Sequence, residues 1–295
     1  MVLKVRVSKK ASGTGKLHGA IHYLPKEYIG KEVYLLNEDE YQAYKNFRAL
    51  EEILSSFIKY MSEKRKMFCI ISETWNPITG CKHVCKYCWA MKRAEMLRKS
   101  SKRYERGFTV MHFNESELSR KFKGGIVFVS DMGDMWGEWV PSEYIRRVLN
   151  QVREFKNTYF LFMTKNPRRY HEFLDIMPEN AILGTTIETN DDVLYVKNDI
   201  SGAPLPSARY ECMRDLDWDK KMVSIEPILD FNLEVFVKWI KDISPIMVFV
   251  GYDNYNNKLP EPPLEKTRQL IKELRIFTFV VEKTIRPAWN EGLGI

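Results

Sequence analysis

The strongest constraint on the fold is an alternation of short apolar runs with amphipathic helical patterns from residue 67 onward. The apolar runs are nearly continuous, as expected for strands that are covered on both faces. Repeated strand–helix units predict an α/β fold with a parallel sheet, and this number of units suits a partial (β/α)6-type barrel. Strands are predicted at 67–71, 125–130, 158–163, 181–187, 222–225, 246–250 and 277–281, and helices at 89–103, 142–155, 167–176, 233–243 and 264–274.

The N-terminal part of the chain has a different pattern. Residues 1–48 contain three short strand candidates, at 3–7, 19–24 and 31–36, and form a small β-rich domain in this prediction. Three short strands bury little apolar surface, so the unit is expected to dimerise or to dock. A helical pattern over 40–66 supplies a connecting helix at 49–66, and the barrel occupies 67–295. Residues 191–219 have weak periodicity and are expected to form an irregular excursion.

Residues 19–33 carry the pattern Gly-x-Ile-x-x-Leu-Pro-Lys-Glu-Tyr-Ile-Gly-Lys-Glu-Val. This pattern resembles small AbrB-like, swapped-hairpin domains that bind DNA. The resemblance implies a homodimer formed through the N-terminal unit, with a DNA-binding or protein-docking role. The alternative is a β-rich cap without a partner.

Composition and charge narrow the class of protein. Hydrophobic residues make up 44% of the chain and aromatic residues 13%, which excludes disorder as the dominant state. No apolar run is long enough to span a bilayer, and residues 1–7 do not resemble a signal peptide, so a cytoplasmic location without membrane contact is expected. The 46 Lys and Arg exceed the 39 Asp and Glu, which favours a polyanionic partner; the alternative is a basic surface without one.

Three of the five cysteines lie within eight residues, as Cys81-Lys-His-Val-Cys85-Lys-Tyr-Cys88. Their spacing is C-x3-C-x2-C, on a loop that leads into a predicted helix. Thiolates suit iron–sulfur clusters and zinc. Three of them can hold three irons of a [4Fe–4S] cube and leave the fourth iron open. A zinc knuckle with His83 or Cys69 as fourth ligand is the alternative, although structural zinc usually draws on two separated ligand pairs.

The cysteine spacing, with an aromatic residue before the third cysteine, resembles the signature of radical S-adenosylmethionine (SAM) enzymes. Further blocks extend the likeness over about residues 67–290 to a phage- and prophage-associated radical SAM family of unassigned function. They are 73–81 (Glu-Thr-Trp-Asn-Pro-Ile-Thr-Gly-Cys), 128–132 (Phe-Val-Ser-Asp-Met), 163–167 (Met-Thr-Lys-Asn-Pro) and 223–227 (Val-Ser-Ile-Glu-Pro). The strand-end blocks also resemble, more distantly, those of the spore photoproduct lyase family, which repairs a thymine photodimer in DNA.

The resemblance implies that the three cysteines bind a [4Fe–4S] cluster and that SAM chelates its open iron. It also implies an electron donor such as ferredoxin or flavodoxin, and cleavage of SAM to a 5′-deoxyadenosyl radical. Ser130 and Asp131 then lie where SAM's amino group is bound, and Lys165 suits its carboxylate. Thr186 and Glu188 reach the ribose or sulfonium, Tyr87 lies near the adenine, and Glu226 ends the fifth strand. No catalytic hydrogen donor is assigned, and Cys212 is a weak candidate. For each of these polar residues taken alone, the alternative is a cap or turn hydrogen bond.

A basic segment follows the cysteine loop. Residues 92–123 hold ten Lys or Arg and four Asp or Glu, interleaved with Tyr104, Phe108 and Phe122. This pattern is typical of contact with a phosphate backbone and stacked bases, and a solvated helix face is the alternative. Three functions remain open. The first is a radical SAM enzyme that repairs or modifies DNA or RNA, the second is such an enzyme with a protein or small-molecule substrate, and the third is a non-catalytic iron–sulfur regulator that binds DNA.

Overall fold

The computed structural model describes residues 3–6, 32–35, 38–59 and 70–291, in two compact units, Met1–Lys45 and Asn46–Ile295. In the first unit, β1 (Leu3–Arg6) pairs antiparallel with β2 (Glu32–Leu35), with Leu3 opposite Leu35. Both strands fall within predicted runs. The predicted strand 19–24 lies outside the described residues, so the AbrB-like architecture and the assigned domain limits stay predictions. Helix α1 (Glu38–Lys59) begins in this unit and continues into the second.

The second unit is built on a seven-stranded sheet in which every neighbouring pair is parallel. Its order is β11-β10-β9-β8-β7-β6-β3, so each strand from β6 onward lies beside its predecessor along the sheet. Within the described chain the two edge strands do not pair with each other, which leaves the barrel open. The predicted α/β fold with a partial barrel is confirmed. The strands are β3 (Glu73–Trp75), β6 (Gly125–Val129), β7 (Thr158–Thr164), β8 (Ala181–Thr186), β9 (Lys221–Ile225), β10 (Met247–Val250) and β11 (Phe279–Glu282).

The helices of this unit follow the strands in the predicted alternation. They are α2 (Trp89–Leu97), α3 (Ser142–Arg153), α4 (Arg168–His171), α5 (Asp192–Lys197), α6 (Pro206–Arg214), α7 (Leu233–Ile243) and α8 (Leu264–Leu274). A small antiparallel ribbon joins β4 (Ile78–Thr79) to β5 (His112–Phe113). Short 3-10 turns cover Lys102–Tyr104, Glu115–Ser119 and Leu174–Ile176. Among the described residues, no helix is both long and apolar enough to cross a membrane.

Three predicted elements differ from the structure. Helix α2 ends at Leu97 rather than at residue 103, because the serines at 100 and 101 favour turns over helix. The pattern over 167–176 divides into α4 and a 3-10 turn. The expected irregular excursion at 191–219 contains two helices. Asp191 caps α5 by accepting a hydrogen bond from Leu194 N at 2.8 Å, and Pro206 occupies the first turn of α6.

The first strand of the sheet is also displaced from its prediction. The apolar run 67–71 was the candidate, whereas β3 pairs with β6 through Glu73–Trp75; residues 67–69 lie outside the described chain. Ile70 and Ile71 are buried outside any strand, in a cluster with Leu50 and Ile53 of α1. Ile70 and Ile71 therefore contribute to this core and belong to no strand.

The two faces of the sheet have separate cores. One face packs against helices including α3, α7 and α8 and carries alternate strand residues such as Val127, Phe160 and Val248. The other face carries the intervening residues, such as Phe128 and Leu161, and is covered in part by α1. Met132, Met135 and Trp136, in the segment after β6, are buried, so packing explains them. The second face leads at its carboxyl edge into the candidate site.

Candidate active site

A cavity of about 780 Å³ opens at the carboxyl edge of the parallel strands, where partial-barrel folds place their sites. The residues around it come from the ends of β3, β6, β7, β8 and β9, the loops after β10 and β11, and the cysteine loop. Its wall is predominantly apolar, with a few converging polar and charged groups, as is usual for cofactor sites. The lining comprises Thr74, Cys81, His83, Cys85, Tyr87, Cys88, Trp89, Ala90, Phe108, Phe128, Asp131, Gly133, Asp134, Met163, Thr164, Lys165, Thr186, Ser224, Glu226, Pro227, Tyr252, Asp253, Asn254, Tyr255 and Lys283.

The three motif cysteines line this one cavity. Cys81 leaves the β4 ribbon, and its backbone N donates to Phe108 O at 2.9 Å. The Cys85 sulfur lies 3.1 Å from Ser201 Oγ. The Cys88 sulfur caps α2 by accepting a hydrogen bond from Met91 N at 3.3 Å. Negative charge on sulfur at this position is stabilised by the amino end of the helix.

Burial raises the pKa of each of the three thiols above its ordinary value. Binding of a metal centre therefore has to displace protons. Within the described chain, no three His, Cys, Asp or Glu side chains are gathered closely enough to hold one metal ion. A [4Fe–4S] cube makes a different demand, since each thiolate binds its own iron. Three soft donors on one loop, all facing the same cavity, fit that demand.

The cysteine loop is tied to the rest of the barrel on two sides. Its His83 carbonyl accepts hydrogen bonds from Gly202 N at 2.7 Å and Ser201 Oγ at 3.0 Å. On the other side, His83 Nε2 lies 2.9 Å from Asp134 Oδ2 in a buried pair. If His83 were a zinc ligand through Nε2, as in the zinc-knuckle alternative, it would have to give up this contact with Asp134. The loop is positioned by the chain around it and does not depend on its own hydrogen bonds alone.

Asp134 is a buried carboxylate that the sequence did not single out. Beyond His83, it accepts from Thr164 Oγ1 at 2.8 Å, from Trp136 N at 3.0 Å and from Lys165 N at 3.1 Å. Burial would raise the pKa of Asp134, but the contact with His83 and these hydrogen bonds hold it below its ordinary value. Asp134 thereby joins the cysteine loop to the end of β7. The only sequence signal was a second aspartate three residues after Asp131.

The structure gathers most of the residues predicted to bind SAM. Tyr87, Asp131, Lys165, Thr186 and Glu226 all line the cavity. Asp131 Oδ1 accepts a hydrogen bond from Asn76 Nδ2 at 2.5 Å, which fixes its carboxylate at the end of β6.

Two predicted residues do not line the cavity, Ser130 and Glu188. Ser130 is buried and has no hydrogen-bond partner for its hydroxyl among the described residues. Its φ of 57° turns the chain sharply after β6, while its N donates to Trp75 O at 2.6 Å. This turn precedes Asp131 directly, so Ser130 affects the site through its backbone.

Glu188 has no exposure to solvent and lies behind the cavity wall. Its carboxylate accepts from Lys165 Nζ at 2.6 Å, from Arg209 Nη1 at 2.7 Å and from the Tyr87 hydroxyl. Burial would raise the pKa of Glu188, yet the neighbouring Arg209 and Lys165 lower it to about 2. Glu188 is therefore an anion that holds two cavity residues in place. Arg209, on α6, was not identified from the sequence, because that segment was read as irregular.

A second polar group lies at the β9–β11 side of the cavity. Glu226 Oε2 accepts from Lys283 Nζ at 2.6 Å, and its Oε1 accepts from Asn254 Nδ2 at 3.3 Å. Next to them, Tyr255 lines the cavity yet is 55% exposed. Lys283, Asn254 and Tyr255 follow β11 and β10. Sequence reasoning missed them because nothing in the local pattern sets them apart from an ordinary loop.

The aromatic residues of the basic segment do not face solvent. Tyr104 and Phe108 are buried in a cluster with Ala90, Ala94 and Met132, and Phe122 lies in the main core. The prediction that these three rings stack on bases is wrong, because packing occupies them. Cys212 lies on α6 and is absent from the cavity wall. Cys69 lies outside the described residues.

A family model described as "Protein of unknown function (DUF5131)" matches residues 68–241. The chain belongs to the DUF5131 family. The matched segment contains the cysteine loop, Asp131, Asp134, Lys165, Glu188, Arg209 and Glu226. Asn254, Tyr255 and Lys283 lie beyond it, so one side of the cavity falls outside the part matched to DUF5131. No curated protein matches the chain.

Solved structures of spore photoproduct lyase are similar to this DUF5131 chain over part of its length. A complex with dinucleoside spore photoproduct is 12% identical with a TM-score of 0.46, over 68% of this chain and 60% of that one. A variant with bound AdoMet and dinucleoside spore photoproduct is 10% identical with a TM-score of 0.47, over 80% of this chain and 79% of that one. The chain thus spans three fifths of the length of the first of these structures.

Proposed function

We propose that the chain is a radical SAM enzyme that acts on nucleic acid, by repair or base modification. Cys81, Cys85 and Cys88 would hold a [4Fe–4S] cluster, and SAM would bind in the same cavity. One observation carries the proposal. The three thiols of a C-x3-C-x2-C loop face the same cavity as the polar residues that end successive parallel strands.

Cys81, Cys85 and Cys88 would hold the cluster, and the chemistry it would supply is one-electron reductive cleavage of SAM to methionine and a 5′-deoxyadenosyl radical, with the electron from a donor such as ferredoxin or flavodoxin. The chain's own residues bind and orient. Asp131 supplies a carboxylate for an ammonium group. Lys165 offers an ammonium for a carboxylate. Of its three N–H donors, one bonds Glu188, which leaves two for a ligand.

Tyr87 and Thr186 complete the cofactor side of the proposal. Tyr87 is held by its hydroxyl on Glu188, and the Lys165 ammonium lies 5.1 Å from the centre of its ring. The ring is thereby fixed as part of the cavity wall, where it suits contact with a planar adenine. Thr186 ends β8 and presents a hydroxyl suited to a ribose. Glu188 is a positioning residue in this scheme, because it touches the wall rather than the cavity.

The substrate class rests on the charge around the cavity. Arg93 and Lys99, in and directly after α2, are exposed and pair with no acidic residue of the described chain. Lys102 and Arg106 are likewise exposed, and the segment returns to the cysteine loop at Phe108. Exposed cations on a segment that begins and ends at cavity residues, Ala90 and Phe108, attract a polyanion and suit contact with phosphates.

The test is anaerobic reconstitution with iron and sulfide, followed by reduction and addition of SAM. The wild-type chain should bind about four irons, show a reduced-cluster EPR signal that changes with SAM, and produce 5′-deoxyadenosine. Cys81→Ala should lose most of the iron, the signal and the product. Cys212→Ala is the matched control, because that thiol lies away from the cavity, and it should behave as wild type. Zinc in place of iron, or unchanged iron and product in Cys81→Ala, would overturn the proposal.

A further inference from the structure

The mouth of the cavity carries an exposed aromatic side chain that packing does not explain. Tyr255 is 55% exposed although it lines the cavity, whereas Phe108 and Phe128 in the same wall are buried. The Lys92 ammonium lies 5.1 Å from the centre of the Tyr255 ring. An accessible ring beside a cation is a surface on which another planar group can stack.

The loop that presents Tyr255 is held rigidly. The buried Asp253 accepts hydrogen bonds from Tyr255 N at 3.2 Å, from Asn257 N at 2.6 Å and from Asn257 Nδ2 at 2.8 Å. Arg286 Nη2 donates to the Asp253 carbonyl at 2.7 Å. Asn257 Oδ1 in turn accepts from Lys92 Nζ of α2 at 3.0 Å, which ties the loop to the cysteine side of the cavity. The position of Tyr255 is therefore set before any ligand binds, which lowers the entropic cost of stacking.

Beside this ring, the cavity offers both donors and acceptors for the edge of a planar ligand. Glu226 is an acceptor, and Lys283 and Asn254 are donors, all within one hydrogen-bonded group. The Glu226 and Lys283 side chains are mostly buried yet line the cavity. A nucleobase edge presents the same mixture of N–H and carbonyl groups, whereas the aromatic side chain of a peptide does not.

We infer that Tyr255 is a stacking platform for one unpaired nucleobase of the substrate, whose edge is read by Glu226, Lys283 and Asn254. The inference rests on the proposed function and names its substrate as single-stranded or extruded nucleic acid. It also moves Glu226, which the sequence assigned to the cofactor, to the substrate side. The exposed cations of the α2 segment would carry the flanking phosphates.

The test uses the full chain with its cluster reconstituted, without turnover of SAM. A fluorescein-labelled single-stranded DNA of about 12 nucleotides is titrated by anisotropy. The same DNA with a central 5-iodouracil is cross-linked by light, and the modified residue is located by mass spectrometry. Wild type should cross-link at Tyr255. Tyr255→Ala should weaken binding about tenfold, the usual effect of losing one stacked base.

Two variants separate stacking from damage to the fold. Tyr255→Phe keeps the ring and should bind within twofold of wild type. Phe279→Ala removes an exposed aromatic residue at the amino end of β11, which does not line the cavity, and should change nothing. Glu226→Gln should alter the preference among the four bases at the central position. If Glu226→Gln instead abolishes SAM-dependent deoxyadenosine in the absence of DNA, Glu226 belongs to the cofactor and its assigned role here is wrong.

Failure of this inference is distinguishable from failure of the proposed function. If the variants behave as expected but the chain produces no deoxyadenosine, the base platform stands and radical SAM chemistry is wrong. If deoxyadenosine forms, but Tyr255→Ala binds DNA as wild type does and cross-links lie elsewhere, the platform is wrong. Binding of tyrosine-containing peptides at Tyr255, with no binding of DNA, would also overturn it.

Discussion

At the scale of single residues, Glu188 shows how buried charge holds the cavity wall. Its carboxylate and the Arg209 guanidinium are both fully buried, 2.7 Å apart, and Lys165 completes the group at 2.6 Å. Two nitrogens of Arg209 have no hydrogen-bond partner among the described residues. The positive charge of this guanidinium is therefore compensated mostly by Glu188, and the fold depends on that ion pair.

Glu188→Gln removes the negative charge at nearly constant volume. We expect it to lower the free energy of unfolding by about 3–5 kcal/mol, because it leaves a buried cation unpaired. Urea denaturation at pH 7 measures the change. Glu95→Gln is the control, since its ion pair with Arg98 is exposed, and it should cost less than about 0.5 kcal/mol. Equal losses in the two variants would contradict the role given to Glu188.

The same residue predicts a pH dependence. The pKa of Glu188 is about 2 in the fold against an ordinary value of 4.5. A depressed carboxyl pKa stabilises the fold fully above the unfolded value, and this contribution is lost as the pH falls from about 4.5 toward 2. It amounts to about 3 kcal/mol. The difference in stability between wild type and Glu188→Gln should therefore shrink over that range, as measured by urea denaturation at a series of pH values.

At the scale of elements, the entry to the cysteine loop is a crossing of two backbones. Gly80, with a φ of 93°, leaves β4 and bridges Gly133 in the loop after β6. A Cβ on Gly80 would lie 2.5 Å from Val110 O, and one on Gly133 would lie 2.9 Å from Gly80 N. The two segments can approach this closely only because both positions are glycine, which has no Cβ. The crossing therefore fixes the backbone position from which the cysteine loop starts, at Cys81.

Gly80→Ala should disturb this crossing and, with it, the cysteine loop. We expect a loss of about 2–4 kcal/mol, from strain at positive φ plus overlap with a carbonyl, and a lower iron content after reconstitution. Gly107→Ala is the matched control, with a φ of 87° but no atom within 4 Å of the added Cβ. It should cost about 1 kcal/mol and leave the iron content unchanged. If both variants bind iron equally, the crossing does not position the loop.

The elements that could be predicted from sequence are those with a local cause. The strands from β6 onward were found because each contains a short apolar run of the kind that parallel strands carry, and α7 and α8 were found because their apolar faces repeat at helical spacing. Strand β3 was missed because Glu73 and Thr74 give an edge strand no such run. That the cysteines and the strand-end residues share one cavity could be predicted from the spacing of the cysteines and from the order of the strands along the chain. Asp134, Arg209 and Lys283 have no local pattern, because only tertiary packing brings them to the site.

At the scale of the molecule, the open sheet is bridged across its cavity by polar contacts. Lys92 of α2 donates a hydrogen bond to Asn257 in the loop after β10 at 3.0 Å, and so links the cysteine side of the cavity to a loop near the other end of the strand order. Exposed cations at residues 93–106 lie on the segment between Ala90 and Phe108, which both line the cavity. An excess of seven positive charges over the whole chain adds a long-range attraction for polyanions. Whether this attraction brings a polyanion to the cavity depends on where the positive charges lie, and not on the net charge.

Binding of single-stranded DNA should therefore depend on salt through particular residues. Each lost phosphate contact reduces the slope of log K against log salt by about 0.7. The pair Arg93→Gln and Lys99→Gln should reduce it by about 1.4. The matched pair Arg268→Gln and Lys272→Gln, on the exposed face of α8, removes equal charge away from the cavity and should leave the slope unchanged. Anisotropy titrations across a range of salt concentrations measure both. Equal slopes for the two double variants would mean that net charge alone attracts DNA and that the DNA does not bind along α2.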